Sequence, residues 1–199
     1  IRDAAVLLVA HARRPIHVFH TQHFSATDAR LVVTGAIPER RIVTEINGCP
    51  AAGEYAHLLG LTIDMLTPEV FAAHPVVVRI GGTDFVRSIL RANPDGSLTF
   101  FCAIDRGIVL KIARGEDLAG NLDATLAEVW AHVGEPALIL GCDCVLRRLE
   151  CRRKHILTPV NALLTANRVI GFSTFGEQFQ GLHINQTFTG ICFGQERVA

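Results

Sequence analysis

The chain has 199 residues with 19 basic and 19 acidic side chains, so its formal net charge is zero. Hydrophobic residues make up 49% and charged residues 19%, which is too apolar for a disordered chain. The balanced charge also argues against a dedicated nucleic-acid binder, which carries a basic surplus. The longest apolar run, Ala4–Ala10, falls far short of the roughly 20 residues that span a bilayer, so no membrane insertion is expected.

Residues 1–48 differ from the rest. They hold His11, His17, His20 and His23 and the pairs Arg13-Arg14 and Arg40-Arg41, with extended segments expected near Ile16–Phe19 and Ile42–Ile46. Pro50 opens a helix that carries Tyr55, Leu58 and Leu59 and stops at Gly60; proline at the first turn and glycine past the last are helix punctuation. Thr67-Pro68-Glu69 caps and starts a second short helix.

A β region follows. Val76–Ile80 is apolar, and Phe85–Arg91 and Leu98–Ile104 flank the hairpin signal Asn93-Pro94-Asp95-Gly96. Asp105-Arg106-Gly107 then reverses the chain into Ile108–Ile112, which predicts three consecutive antiparallel strands. Leu122, Leu126, Val129, Trp130 and Val133 recur at helical spacing up to Gly134. Ala137–Cys142 reads as a strand covered on both faces. Thr158-Pro159 starts another helix that ends near Asn167, and Val169–Ser173 and Thr187–Phe193 are the last strands. About eight strands and four or five helices that do not strictly alternate predict an α+β fold. Its expected form is a mixed, largely antiparallel sheet with flanking helices.

Nucleotide-loop and zinc-peptidase motifs are absent, and Gly171–Gly176 misses the nucleophile-elbow spacing by one residue. The six cysteines, Cys49, Cys102, Cys142, Cys144, Cys151 and Cys192, sit mostly in apolar stretches, as reduced thiols of a cytoplasmic protein do. Cys142, Cys144, Cys151 and His155 are an alternative zinc set, because residues two apart on a strand and four apart on a helix share a face. Cys142 or Cys144 as a nucleophile is a further alternative, although burial opposes the thiolate that catalysis needs. His17, His20 and His23 are haem-ligand candidates by residue type, against the alternative of scattered imidazoles on a polar strand.

The segment Gly171–Gly194 concentrates glycines, phenylalanines and polar groups. Glycine allows sharp turns and close backbone approach, and aromatics with a few polar groups line small-molecule pockets. The alternative is a glycine-rich loop between two core strands. A ligand-binding set is read here: Gly176 for close approach, Glu177, His183 and Asn185 for orienting hydrogen bonds, and Arg147 for an anionic group. Each has a purely structural alternative, namely a turn cap for Glu177, an Asx-turn for Asn185 and pairing with Glu150 for Arg147.

The stretch Gly171-Phe172-Ser173-Thr174-Phe175-Gly176-Glu177-Gln178, with His183-Ile184-Asn185-Gln186-Thr187-Phe188-Thr189-Gly190, resembles the end of the FIST sensory domain. Asn47-Gly48-Cys49-Pro50-Ala51-Ala52 with Tyr55, His74-Pro75, Arg87–Leu90, Asp95–Leu98 and Gly141–Glu150 are similar to other parts of it. The resemblance covers roughly residues 17–196. It implies a non-catalytic small-ligand sensor, cytoplasmic and mostly bacterial, beside a histidine kinase or a cyclic-nucleotide enzyme. The implied ligand is an amino acid, or a gas through haem, since some members are haem-based nitric-oxide sensors. The cofactor stays unknown, with haem an alternative and His183 joining the three N-terminal histidines as a candidate. The resemblance divides the chain into residues 1–48, a lead-in from the N-terminal FIST half with the first strands, and 49–199, the FIST C-terminal domain. The chain opens at Ile1 rather than Met and reads as part of a longer protein.

Overall fold

A computed structural model describes residues 3–195. Fourteen strands and five α-helices follow in chain order: β1 (Ile16–Thr21), β2 (Phe24–Ile37), β3 (Ile42–Ile46), β4 (Cys49–Pro50), α1 (Ala51–Leu58), α2 (Pro68–Ala73), β5 (Val76–Ile80), β6 (Thr83–Arg87), β7 (Ile89–Ala92), β8 (Leu98–Phe100), β9 (Val109–Gly115), α3 (Leu118–Val133), β10 (Pro136–Cys144), α4 (Val145–Arg153), α5 (Leu157–Ala166), β11 (Val169–Thr174), β12 (Glu177–Phe179), β13 (Leu182–Ile184) and β14 (Phe188–Gly194). Strand exceeds helix, 41% to 28%, and the sheets are mostly antiparallel, so the fold is α+β as expected.

The helix punctuation holds. Thr67 caps α2 by accepting from the Val70 N–H, Pro50 precedes α1, and Gly134 closes α3. On α3, Leu118, Leu122, Leu126, Val129 and Val133 are buried, whereas Trp130 stays 42% exposed. Its indole N–H instead donates to Asn167 at 2.6 Å.

The larger sheet runs β6-β5-β9-β2-β3-β8-β7, with β4 on β3. Its terminal strands β6 and β7 are separated by one residue, Ser88, so the sheet curls back toward itself. Leu31, Val43, Leu98 and Leu110 fill its interior with Tyr55 of α1 and Phe71 of α2. Here the expected three-stranded meander is corrected. The hairpin β7–β8 forms, but Phe85–Arg91 breaks at Ser88, and β8 pairs with β3 rather than β9. The long strand β2 lies beside β9: Val33 donates to Ile108 and accepts from Gly107, which holds the returning chain against β2. The polar Thr27-Asp28-Ala29-Arg30 stretch in the middle of β2, where the register shifts, hides that strand from a reading based on alternation.

The smaller sheet runs β1-β14-β10-β11. Its inner face packs on α3 and α5 through Phe19, Leu122, Leu126, Val129, Ile139, Val160 and Phe188. Its outer face leaves Val18, Ile170, Phe172 and Ile191 exposed, so the strand at 136–144 is not covered on both faces as expected. Because β1 joins the smaller sheet while β2 and β3 join the larger, the first 48 residues are interleaved with both. Among the described residues no helix is long and apolar enough to cross a membrane.

Candidate functional site

At the carboxyl end of β10 the chain turns directly into α4. This places Arg147 one helical turn beyond Asp143, and its Nε donates to Asp143 Oδ1 at 2.7 Å. Arg147 is 1% exposed, its Cζ lies 6.0 Å from the centre of the Phe188 ring, and its Nη1 is buried without a partner. The expected alternative partner, Glu150, is committed elsewhere: it meets His23 Nε2 at 2.9 Å and Lys154 Nζ at 2.7 Å.

The β12–β13 hairpin supplies the remaining groups. Glu177 is buried at its start and accepts from the Thr174 and Thr187 hydroxyls. Burial pushes its carboxyl above the usual range and Asp143 adds to the push, while the two threonines and Arg147 oppose it. Burial raises Asp143 too, against the pull of Arg147 and Arg148. Two acids thus depend on one buried guanidinium, and a charge out of water is tolerated only when it is paired and hydrogen-bonded.

Gly176, with φ at +138°, is where the backbone turns into the hairpin. A Cβ there would sit 2.7 Å from His183 Cε1 and Nε2 and 2.8 Å from Asn185 Nδ2, so only glycine allows this approach. Asn185 Nδ2 lies 3.2 Å from His183 Nε2. Burial, then Arg87 and Arg41, lower the His183 pKa; the neutral imidazole accepts at Nε2, which leaves its proton on Nδ1.

The same segment bridges the two sheets. The His183 carbonyl accepts from Arg87 Nη1, Asn185 Oδ1 accepts from the Ser88 N–H at 3.4 Å, and Gln186 Nε2 donates to the Ala72 carbonyl at 2.8 Å. Asn185 therefore reaches across to the larger sheet rather than closing an Asx-turn of its own. Ser88 Oγ and Gln186 Oε1 remain buried without partners.

Gly176, Glu177, His183 and Asn185 thus lie on or beside one hairpin, and Arg147 reaches Glu177 through its charge. The residue reading missed Asp143, Thr174, Thr187, Arg87, Ser88 and Gln186. The four-residue spacing of Asp143 and Arg147 was the available signal; nothing local points to Arg87 or Ser88, which are about 95 residues away in sequence from the side chains they serve.

The zinc and thiol alternatives are corrected. Among the described residues no three metal-ligating side chains are placed to hold an ion. Cys142 pairs with Thr189 on the face opposite Ile139, whereas Cys151 packs in the inner core, so the sheet separates the thiols. Burial raises Cys142 and pushes Cys144 and Cys151 up to about 11, away from the thiolate.

The structure disperses the four histidine candidates. His17 stacks on His132 at 4.2 Å, His20 packs on Phe179 at 4.2 Å, and His23 is buried against Glu150. His183 is taken up by Gly176 and Asn185. None of the four lines any of the cavities described.

The FIST C domain profile matches residues 51–180 and the FIST N domain profile matches residues 1–49. The chain belongs to the FIST family. FIST domains are small-ligand sensory domains of signal transduction and are not enzymes, which disposes of the cysteine-nucleophile alternative. No curated protein and no solved structure matches this FIST chain.

Proposed function

We propose that this FIST chain is the sensing part of a bacterial, cytoplasmic signalling protein. Its small ligand, with an amino acid as the first candidate, contacts Arg147, Gly176, Glu177, His183 and Asn185. Its bound state is read by a partner histidine kinase or cyclic-nucleotide enzyme. Residues 1–48 act as the lead-in from the N-terminal half and 49–199 as the C-terminal domain. The observation that carries the reading is the convergence at Gly176: an imidazole and a carboxamide meet the bare glycine backbone, one residue from a buried carboxylate. These polar groups also bond Arg87 and Ser88 of the larger sheet, so a ligand that reorients them would bias the contact between the sheets.

The test is calorimetry with a panel of amino acids, preceded by native mass spectrometry for a carried-over molecule. Substituting Glu177→Gln together with Asn185→Ala is expected to weaken binding at least about tenfold, the loss of one or two hydrogen bonds to a charged group. Unchanged affinity in a folded double variant removes these residues from the site. The alternative is a haem-based nitric-oxide sensor: purified protein from haem-supplemented cells is expected to show no Soret band on the amino-acid reading, and a Soret band would favour the haem one.

A further inference from the structure

We propose that the cavity between β10, β11 and the α4–α5 crossover is a second ligand site, one that takes a monocarboxylate with an aromatic or branched aliphatic body.

Three observations point there. The first is the sheet itself. β10 and β11 are the one parallel pair among the described strands, and ligands favour the crevice beyond the carboxyl ends of parallel strands. The register sets Gly141 directly beside Gly171. Both line a cavity of about 580 Å³, and the missing side chains let the two strands and the Phe188 ring pack closely at its floor. Neither glycine is replaceable: a Cβ on Gly171 would collide with the Gly141 carbonyl, and one on Gly141 would lie 2.7 Å from the Phe188 ring.

The second is the lining. Leu157, Val160, Leu164 and Phe188 supply apolar wall, and Asn161 stands among them. Asp143, Arg148, Thr165 and Ser173 make the rest of the lining polar, and a concave site that joins apolar wall to convergent polar groups is a usual form of small-molecule site.

The third is the charge. Asp143 and Arg148 both line the cavity. Asp143 already holds the buried Arg147 at 2.7 Å. Arg148 is exposed and has no hydrogen-bonding or ion-pair partner among the described residues; its charge only helps to hold Asp143 ionised. Arg148 is therefore the charged side chain of the lining that is free to bond an incoming group. A planar guanidinium beside the apolar wall of Leu157, Val160, Leu164 and Phe188 matches a carboxylate head on an apolar body. An amine head would bring a third cation beside Arg147 and Arg148.

This site is separate from the Gly176 cluster: none of Arg147, Gly176, Glu177, His183 and Asn185 lines it. Arg147 joins the two, through its bond to Asp143 and its contact with the Phe188 ring.

The experiment uses the 199-residue chain and three probes that share one ring: 3-phenylpropionate, phenethylamine and phenylalanine, titrated calorimetrically. The carboxylate is expected to bind best. Arg148→Ala, at an exposed position, is expected to weaken it at least about tenfold with an unchanged melting temperature. Asn161→Trp is expected to abolish binding by filling the cavity, and Glu177→Gln to leave it unchanged. The proposal is overturned if phenethylamine or phenylalanine binds more tightly. It is also overturned if 3-phenylpropionate does not bind at millimolar concentration, or if its affinity follows Glu177→Gln rather than Arg148→Ala. That last result would place the ligand at the Gly176 cluster, so failure of this site and failure of the first are told apart.

Discussion

The two sheets solve the burial problem in opposite ways. The larger encloses an apolar interior in which Leu31, Val33, Val43, Leu98 and Leu110 have no exposed surface. Its buried polar side chains are small hydroxyls, Ser88, Ser97 and Thr99. The smaller sheet, its helices and the separate β12–β13 hairpin beside them bury Arg147, Glu150 and Glu177, with His23 at the junction. Apolar burial stabilises in proportion to area and needs no partner. Buried charge survives only inside a complete network and is sensitive to any change in it. On the function proposed above, the larger sheet would be the scaffold, and the smaller sheet with the β12–β13 hairpin the part that responds to a ligand.

The sharpest way to break this comparison is Arg147→Ala. It strands Asp143 and Glu177 beside an unfilled space, and the expected loss is about 3–5 kcal/mol in urea titration. A loss below about 1 kcal/mol would mean that the two acids do not rely on the guanidinium. The matched change in the larger sheet, Leu98→Ala, is expected to cost about 2–5 kcal/mol through cavity formation. The two differ in pH response: the Leu98→Ala loss is expected to stay flat from acid to neutral pH, and the Arg147→Ala loss to change with the ionisation of its acids.

A pH titration sharpens the comparison within the smaller sheet. The Glu177 pKa is raised in the folded state. Its contribution is therefore fully present below the unfolded carboxylate pKa and is lost as pH rises through the folded value. Glu150 is lowered, since the bonds from His23 and Lys154 outweigh its burial, so its contribution appears above the unfolded value and is lost as pH falls through the folded one. Stability of the wild type relative to Glu177→Gln is expected to shrink from acid to neutral pH, and relative to Glu150→Gln to grow. Parallel curves for the two variants would show that their environments do not differ as described. The smallest expected effect is a control at the edge of the scaffold: Thr67→Ala removes the α2 cap and should cost about 1 kcal/mol at neutral pH.

Part of the candidate site was legible in the sequence. Gly176, Glu177, His183 and Asn185 fall within ten residues, and a hairpin of that length cannot separate them. Arg147 was legible by residue type as a partner for an anionic group, but its partner within the chain was not: Glu150 and Asp143 are nearly equidistant in sequence, and the strand-to-helix turn at Cys144 selects Asp143. The bridges from Arg87, Ser88 and Ala72 had no local signature. Nor did the glycine-floored cavity, which exists because two strands 30 residues apart adopt one register.

By itself the sequence determined what neighbours along the chain can decide. It set the start of α1 at Pro50, the Thr67 cap, the β7–β8 turn, the apolar stripe of α3, and membership of a family whose motifs are contiguous. These features rest on caps, turn chemistry and short-period hydrophobicity, each fixed within a few residues. Only the tertiary structure decided that β9 lies beside β2 rather than β8, that the thiols fall on opposite faces of a sheet, and that Arg147 serves two acids. Those outcomes depend on which distant surfaces are buried together, and the free energy of burial and pairing depends on contact rather than on order along the chain.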